Sequence, residues 1–282
     1  MTRRNHPPAN ADLETLQRRA LDVRRTCIAL ATGKGQGYLG QALGFSDVLA
    51  AIYFHELRWD PTDLDWAGRD RFILSTGHYA IALWAVLAEA GAIPREELQT
   101  FALDQSRLDM STLDTSPGVE VTGGSLGHGL GQAIGMALGL RLQGSEARIF
   151  CELSDGETEE GSTWEAAIAG KSFRLDNLVA IVDANGIQAD GRIVVDIEPL
   201  ADKWRAFGWD TVEIDGNDMA AVVGALERCR ATDGRPKAIV CRTLPGKGVP
   251  MLETREKSHF IRIDPEEWDQ VAAALEAAHV TR

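Results

Sequence analysis

Four acids fall within the six residues Asp155 to Glu160 of the stretch LSDGETEEGSTWEAAIAG: Asp155, Glu157, Glu159 and Glu160. A second stretch, LVAIVDANGIQADG, carries Asn185 just past another apolar run. Each reads as a buried strand that ends in a polar turn, and a helix is predicted to begin near Gly161. If the two strands are parallel neighbours joined by that helix, both turns lie at the same carboxyl edge of the sheet, where open α/β sheets bind ligands. A carboxylate from Asp155 and an amide oxygen from Asn185 would then converge, with Gly156 letting backbone approach closely. Two hard oxygens with positions to spare suit Mg2+, which keeps sites for phosphate oxygens. The nearby helix N-terminus adds amide donors for an anion. An isolated Asp-Gly is usually an ordinary turn; the pairing with Asn185 and the strand context favour a metal–diphosphate site.

The elements that must position these residues follow from periodicity. Residues 12–32 place Leu13, Leu16, Leu21, Val23 and Ile28 at helical spacing, and the Gly-rich turn GKGQGYLGQALG follows. DRFILSTGHYAIALWAVLAEAG reads as a short strand, a Ser-Thr-Gly turn and an apolar helix, and GGSLGHGLGQAIGMALGLRL as a Gly-rich turn entering a helix. ARIFCELSDG, NLVAIVDANG, DTVEIDG and KAIVCRTLPGKG are strand-like runs ending in turn residues. Such strands alternating with helices predict an α/β fold, a parallel sheet with helices on both faces. With no internal repeat or low-complexity linker, residues 12–282 form one expected domain behind a flexible tail over residues 1–11.

Composition bounds the function. The chain has 282 residues, 44% hydrophobic and 25% charged, as in a globular protein with a sizeable core. Its 42 acids against 29 bases leave a formal charge of −13, which argues against a broad nucleic-acid surface, since that needs a basic stripe. Cys27, Cys151, Cys229 and Cys241 lack metal-ligand spacing and are expected as reduced, buried thiols. The N-terminus has no apolar signal region, and no run approaches the roughly 18 apolar residues of a membrane span. A cytoplasmic location is expected.

The motifs together resemble the transketolase family. SDG followed by Asn185 is similar to its thiamine-diphosphate motif, and DANGIQADG, LSTGH, PGVEVTGGSLGHGLGQAIGMALG and GKGV match in family order. The match covers the chain from about residue 12 to 260. It implies a thiamine-diphosphate-binding fold, thiamine diphosphate and Mg2+ as cofactors, and the N-terminal half of a transketolase in the size of a split, two-component enzyme. By resemblance, Asp155, Asn185 and the Ile187 carbonyl ligate the metal, and Gly156 lies against the diphosphate. Gly124, Ser125 and Leu126 meet the aminopyrimidine ring, where a bare backbone lets a flat ring pack closely. His78 and His259 lie near the cofactor and the reacting carbons, although KSHF departs from the usual ending around the second histidine. Glu160 and Glu165 match carboxylates of an interface proton network, and plain helix-surface acids remain the other reading. Lys247 supplies a cation to the site or is a surface turn lysine. Glu157 and Glu159 are expected to be solvated in a first helical turn.

The implied reaction moves a two-carbon ketol unit from a ketose donor to an aldehyde acceptor, the cofactor carrying the electrons while protein groups position it and shuttle protons. The family's pyrimidine-facing glutamate lies on a second domain, which this sequence does not contain. A separate pyrimidine-binding, C-terminal transketolase-like subunit is therefore expected, in an α2β2 assembly. Four positions depart from the family. Tyr38 stands where a histidine is common, no histidine occurs around Asp109 and Met110, His128 replaces glutamine, and Ser154 replaces the first glycine of GDG. Loss of two hydroxyl-reading histidines predicts a substrate other than the standard pentose-phosphate pair. The rival readings are a 1-deoxyxylulose-phosphate-synthase-like enzyme, the α subunit of a 2-oxo acid dehydrogenase, and a non-catalytic cofactor-binding subunit.

Overall fold

Asp12 starts the first helix by accepting the Thr15 amide at 2.8 Å, and Gly35, at φ 67°, ends it. In the computed structural model, which describes residues 11–189, 191–262 and 264–280, this helix is α1 (Leu13–Lys34), followed by β1 (Gln36–Gly37) and α2 (Leu39–Ala51). Next come β2 (Arg71–Leu74), α3 (Ala80–Glu89), α4 (Gly129–Leu142), β3 (Ile149–Ser154), α5 (Gly161–Ser172) and β4 (Leu178–Ala184). Then follow β5 (Ile187–Gln188), β6 (Gly191–Arg192), α6 (Leu200–Ala206), β7 (Asp210–Asp215), α7 (Met219–Arg228) and β8 (Lys237–Arg242). The chain closes with α8 (Pro250–Glu253), β9 (Ile261–Arg262) and α9 (Pro265–Val280). Residues 1–10 of the expected tail lie outside the described residues.

The main sheet has five strands in the order β2-β3-β4-β8-β7, every pair parallel. Its central strands β3 and β4 are buried at every residue, which explains why their sequences run apolar without alternation. Along β4, Val179 and Ile181 enter the core under α1, α2, α3, α7 and α9. Leu178, Ala180 and Val182 enter a second core under α4, α5 and α6. The sheet is thus covered on both faces, as the sequence predicts. Helix α2 is buried at every position, so it shows no amphipathic stripe.

Charged residues separate the two edges of the sheet. At the amino edge, Arg148 and Arg230 neutralise the fully buried Glu56, and Arg58 and Arg148 do the same for Asp70. The arginines of these pairs, Arg58, Arg148 and Arg230, line a cleft of about 590 Å³ at this edge. The carboxyl edge differs. Ser154 is level with Asp183 in the β3–β4 register, so the turns after those strands open side by side. Two short ribbons frame this edge, β1 with β9 and β5 with β6. All four cysteines are buried and unpaired. Among the described residues no helix is long and apolar enough to cross a membrane.

Candidate functional site

Asp155 follows β3 directly and is 3% exposed. Its two oxygens accept the Gly156 amide at 2.8 Å and the Gly186 amide at 2.6 Å, so the β3 turn grips the β4 turn. Burial above all pushes this carboxyl up to about 7, with Asp183 adding repulsion against the help of the two amides. Among the described residues Asp155 has no ion-pair partner. Arg242 lines the same cleft, but its guanidinium is bound to Glu198 at 2.5 Å and Glu213 at 2.8 Å. A buried carboxylate without a countercharge is costly, and a divalent cation in this cleft would supply one.

Asn185 faces the same cleft, of about 430 Å³, together with Ala184, Gly186 and the segment Ile193–Glu198. Its amide nitrogen donates to Asp183 at 2.8 Å and to the Tyr79 hydroxyl at 2.9 Å. Both partners require a donor there, because Tyr79 itself donates to Asp183 at 2.7 Å. That fixes which end of the amide is oxygen. Asn185 Oδ1 accepts the Ile187 amide at 3.0 Å and keeps a second lone pair. Asp183 also accepts from Thr243, so it is a fully satisfied buried hub that orients Asn185. Ile187 sits beside the cleft, tied through its N–H, and does not line it. Among the described residues no three His, Cys, Asp or Glu gather as a metal group. The available donors are hard oxygens, the chemistry that suits Mg2+ with phosphate oxygens completing its shell.

A second pocket, of about 500 Å³, opens beside the β2 turn, lined by Gln36, Tyr38, Thr76, His78, Met110, Ser111, Gly124, Phe260 and Arg262. Three sequence-predicted residues meet here. The His78 ring lies 4.9 Å from Tyr38 and 5.0 Å from His259, and Tyr38 lies 5.4 Å from His259. His78 Nδ1 is 2.8 Å from the Thr76 carbonyl, so in the neutral ring that nitrogen carries the proton. Nε2 is buried without a partner and presents a lone pair. Burial, then the charge of His259, hold the His78 pKa down at about 4. Burial also lowers that of His259. His78 is thus a neutral acceptor at pH 7, better suited to a hydroxyl proton than to a phosphate oxygen.

The Gly124–Leu126 loop lies over the β2 turn, with the Gly124 amide on the Ser75 carbonyl at 3.1 Å. Ser125 and Leu126 are exposed beside it. Gly77 and Gly123 pack backbone to backbone, and a Cβ on Gly77 would collide with Gly123 and Gly124. An exposed, flat backbone surface therefore borders the pocket that contains His78. Its orphaned nitrogen, the bare loop and the uncompensated Asp155 all fit a thiamine diphosphate–metal pair.

One expectation fails. Glu157 is not solvated: it is fully buried, accepts the Gly127 amide at 2.7 Å and the Ser75 hydroxyl, and its own amide donates to Ser154 at 3.0 Å. Burial pushes its carboxyl up to about 7. Its carboxylate ties the β3 turn to the 124–127 loop. The signal was present, since SDGE has the Ser-x-x-Glu spacing of a capping box. It also gives Ser154 a structural task. Glu159 is exposed as expected. Glu160 and Glu165 are exposed at the start and first turns of α5, Glu160 against Gly127. Lys247 lines a different cleft with Glu213, Asp215 and Arg242, apart from the histidine pocket. At the position lacking a family histidine, Met110 and Ser111 face the pocket. Asp183 and Tyr79 were not singled out from sequence.

Comparison with known proteins agrees with this geometry. Residues 17–278 match the family described as transketolase, thiamine diphosphate binding domain. An uncharacterized transketolase family protein of Sinorhizobium fredii is 50% identical over 267 residues, covering 93% of this chain and 96% of the relative. A 6-deoxy-6-sulfo-D-fructose transketolase subunit of Clostridium sp. is 38% identical, covering 93% and 96%. An apulose-4-phosphate transketolase subunit of Actinobacillus succinogenes is 37% identical, covering 95% and 98%. A transketolase variant from Pichia stipitis superposes with a TM-score of 0.86 at 26% identity, covering 94% of this chain and 41% of that one. The transketolase of Leishmania mexicana gives 0.82 at 26%, with 96% and 45% covered. The chain thus spans less than half of these transketolase structures and nearly all of the subunit-sized relatives. It belongs to the transketolase family, as its thiamine-diphosphate-binding domain.

Proposed function

We propose that the chain is the diphosphate-binding subunit of a two-component ketol transferase. Its partner would be a pyrimidine-binding chain, in an α2β2 assembly that moves a two-carbon unit between a ketose and an aldehyde. The observation that carries this reading is the convergence of Asp155 and the Asn185 amide oxygen on one cleft at the sheet's carboxyl edge. Asp155 and Asn185 would hold Mg2+, with the Ile187 carbonyl as a third ligand, and Gly156 would leave room for the diphosphate. When bound, thiamine diphosphate supplies the electron sink that breaking a carbon–carbon bond next to a carbonyl requires.

The chain's own residues do the rest. Gly124, Ser125 and Leu126 offer backbone to the aminopyrimidine face. His78, a neutral residue of the pocket wall, takes a proton from a substrate hydroxyl on its unpartnered Nε2, with the rings of His259 and Tyr38 packed beside it. Glu160 and Glu165, exposed at one end of α5, would meet the second half of the assembly. Two of the relatives that match along nearly their whole length are named as subunits, which supports a separate partner.

The test is Asp155→Ala in the assembly reconstituted with its partner. Mg2+-dependent thiamine diphosphate binding, followed by calorimetry, is expected to vanish together with ketol transfer. Retention of tight, metal-dependent binding by this variant would reduce Asp155 to a turn residue.

A further inference from the structure

Resting on the ketol-transfer reading, we propose that Arg262 is a specificity-determining residue which reads an oxyanion at the far end of the substrate. Arg262 and Gln36 are direct partners in the β1–β9 ribbon. Opposed residues of an antiparallel pair project from the same face, so a guanidinium and a carboxamide stand side by side on one wall of the pocket. Thr76 and His78 lie deeper, whereas Arg262 is exposed, which sets it at the mouth. A ketol acceptor enters with its aldehyde toward the histidines and its tail toward this rim. The ketose formed from that acceptor carries the same tail, so both substrates of the reversible reaction would be read by the same group.

The charge pattern singles this arginine out. Arg148 and Arg230 are tied to Glu56, and Arg242 to Glu198 and Glu213. Among the described residues Arg262 has no ion pair, and its contact is with the face of Phe260, 5.2 Å from the ring centroid. Phe260 is in turn packed edge-on against Tyr38, with centroids 4.8 Å apart. Stacking fixes the guanidinium plane yet leaves its N–H edge free. In a chain of charge −13, none of the residues lining this pocket is an acid. The nearest acid in sequence to Met110, Asp109, accepts the Met110 amide at 2.6 Å. A preorganised cation beside an amide donor, in a pocket without carboxylates, fits a phosphate or sulfonate tail. Met110, at the position that lacks a family histidine, leaves fewer hydroxyl-reading groups to compete with that contact.

The experiment compares three aldehyde acceptors in the reconstituted assembly: glyceraldehyde 3-phosphate, its 3-sulfonate analogue and uncharged glyceraldehyde. Wild type is expected to favour at least one charged acceptor, and the two charged arms tell phosphate from sulfonate. Arg262→Gln should lower kcat/KM for the favoured charged acceptor about tenfold to a hundredfold, chiefly through KM, the span of hydrogen bonds to charged groups. Uncharged glyceraldehyde should be turned over unchanged, and Arg262→Lys should restore part of the loss. No preference for charge, or an equal loss on all three acceptors, would overturn the inference while leaving ketol transfer intact. Absence of ketol transfer with every acceptor would overturn the functional reading, and this inference with it.

Discussion

His78 carries the clearest consequence at the scale of single residues. Its folded pKa of about 4 lies below the ordinary histidine value because its ring is enclosed and faces His259. Between that value and about 6.5, the unfolded chain binds the proton that the folded chain refuses. Stability is therefore complete above the unfolded value and declines as pH falls toward 4. From pH 7 to pH 5 this one residue should remove about 1–2 kcal/mol. In urea unfolding at the two pH values, His78→Asn is expected to lose that much less than wild type. Equal losses in both proteins would mean that His78 is protonated as freely as a surface histidine. The same chemistry explains what a reading of residues missed. The meeting of Asp155 and Asn185 at one cleft was legible because each follows a buried strand and the two strands are parallel neighbours. Asp183 was not, because a buried acid inside an apolar strand shows its role only through partners distant in sequence, Tyr79 and Thr243. For Glu157 the Ser-x-x-Glu spacing gave the local bond to Ser154, whereas its burial follows from the distant partners Ser75 and Gly127.

At the scale of elements, the parallel sheet was legible because fully buried strands are written as unbroken apolar runs. The ribbons β1–β9 and β5–β6 were not, since two-residue strands have no period to detect. Yet the first of them builds the mouth of the histidine pocket. The close approach of the β2 turn to the 123–124 loop belongs to this scale as well. Gly77 has φ 65° and its missing Cβ is the space that Gly123 and Gly124 occupy. Gly77→Ala should cost about 3–5 kcal/mol, combining left-handed strain with backbone overlap, and should displace the loop that borders the cofactor pocket. Gly91 is the control. It too has a positive φ, 85°, but nothing lies within 4 Å of an added Cβ. Gly91→Ala should cost only about 1–2 kcal/mol and leave cofactor binding alone. Thermal denaturation and cofactor titration of the two variants separate local strain from damage to the site. Equal costs would show that the loop yields.

At the scale of the whole molecule, one face of α4 has more glycine than a helix in water would tolerate cheaply. Gly131, Gly135 and Gly139 recur at intervals of four, and nothing in this chain lies within 4 Å of a Cβ built on any of them. Residues three or four apart share a helix face, so Leu142, three past Gly139 and 87% exposed, continues the same stripe. On α5 and just past its end, Ile168 and Phe173 are also exposed, at 53% and 48%. For an isolated chain this arrangement is unfavourable: glycine inside a helix costs about 1 kcal/mol relative to alanine, and exposed apolar side chains gain nothing. A partner's backbone packed closely on the stripe would reverse both terms, and the proposed assembly supplies that partner. The two accounts diverge for Gly135→Leu. Within this chain the new side chain meets no atom and replaces a poor helix former, so the isolated subunit should unfold at a higher temperature, by an amount worth about 0.5–1 kcal/mol. In the assembly the same side chain occupies the space meant for another chain. Light scattering after mixing with the pyrimidine-binding subunit should then show separate chains, with ketol transfer lost although thiamine diphosphate chemistry on this chain is untouched. If the variant assembles and turns over like wild type, α4 faces water and the contact between the subunits must be sought elsewhere.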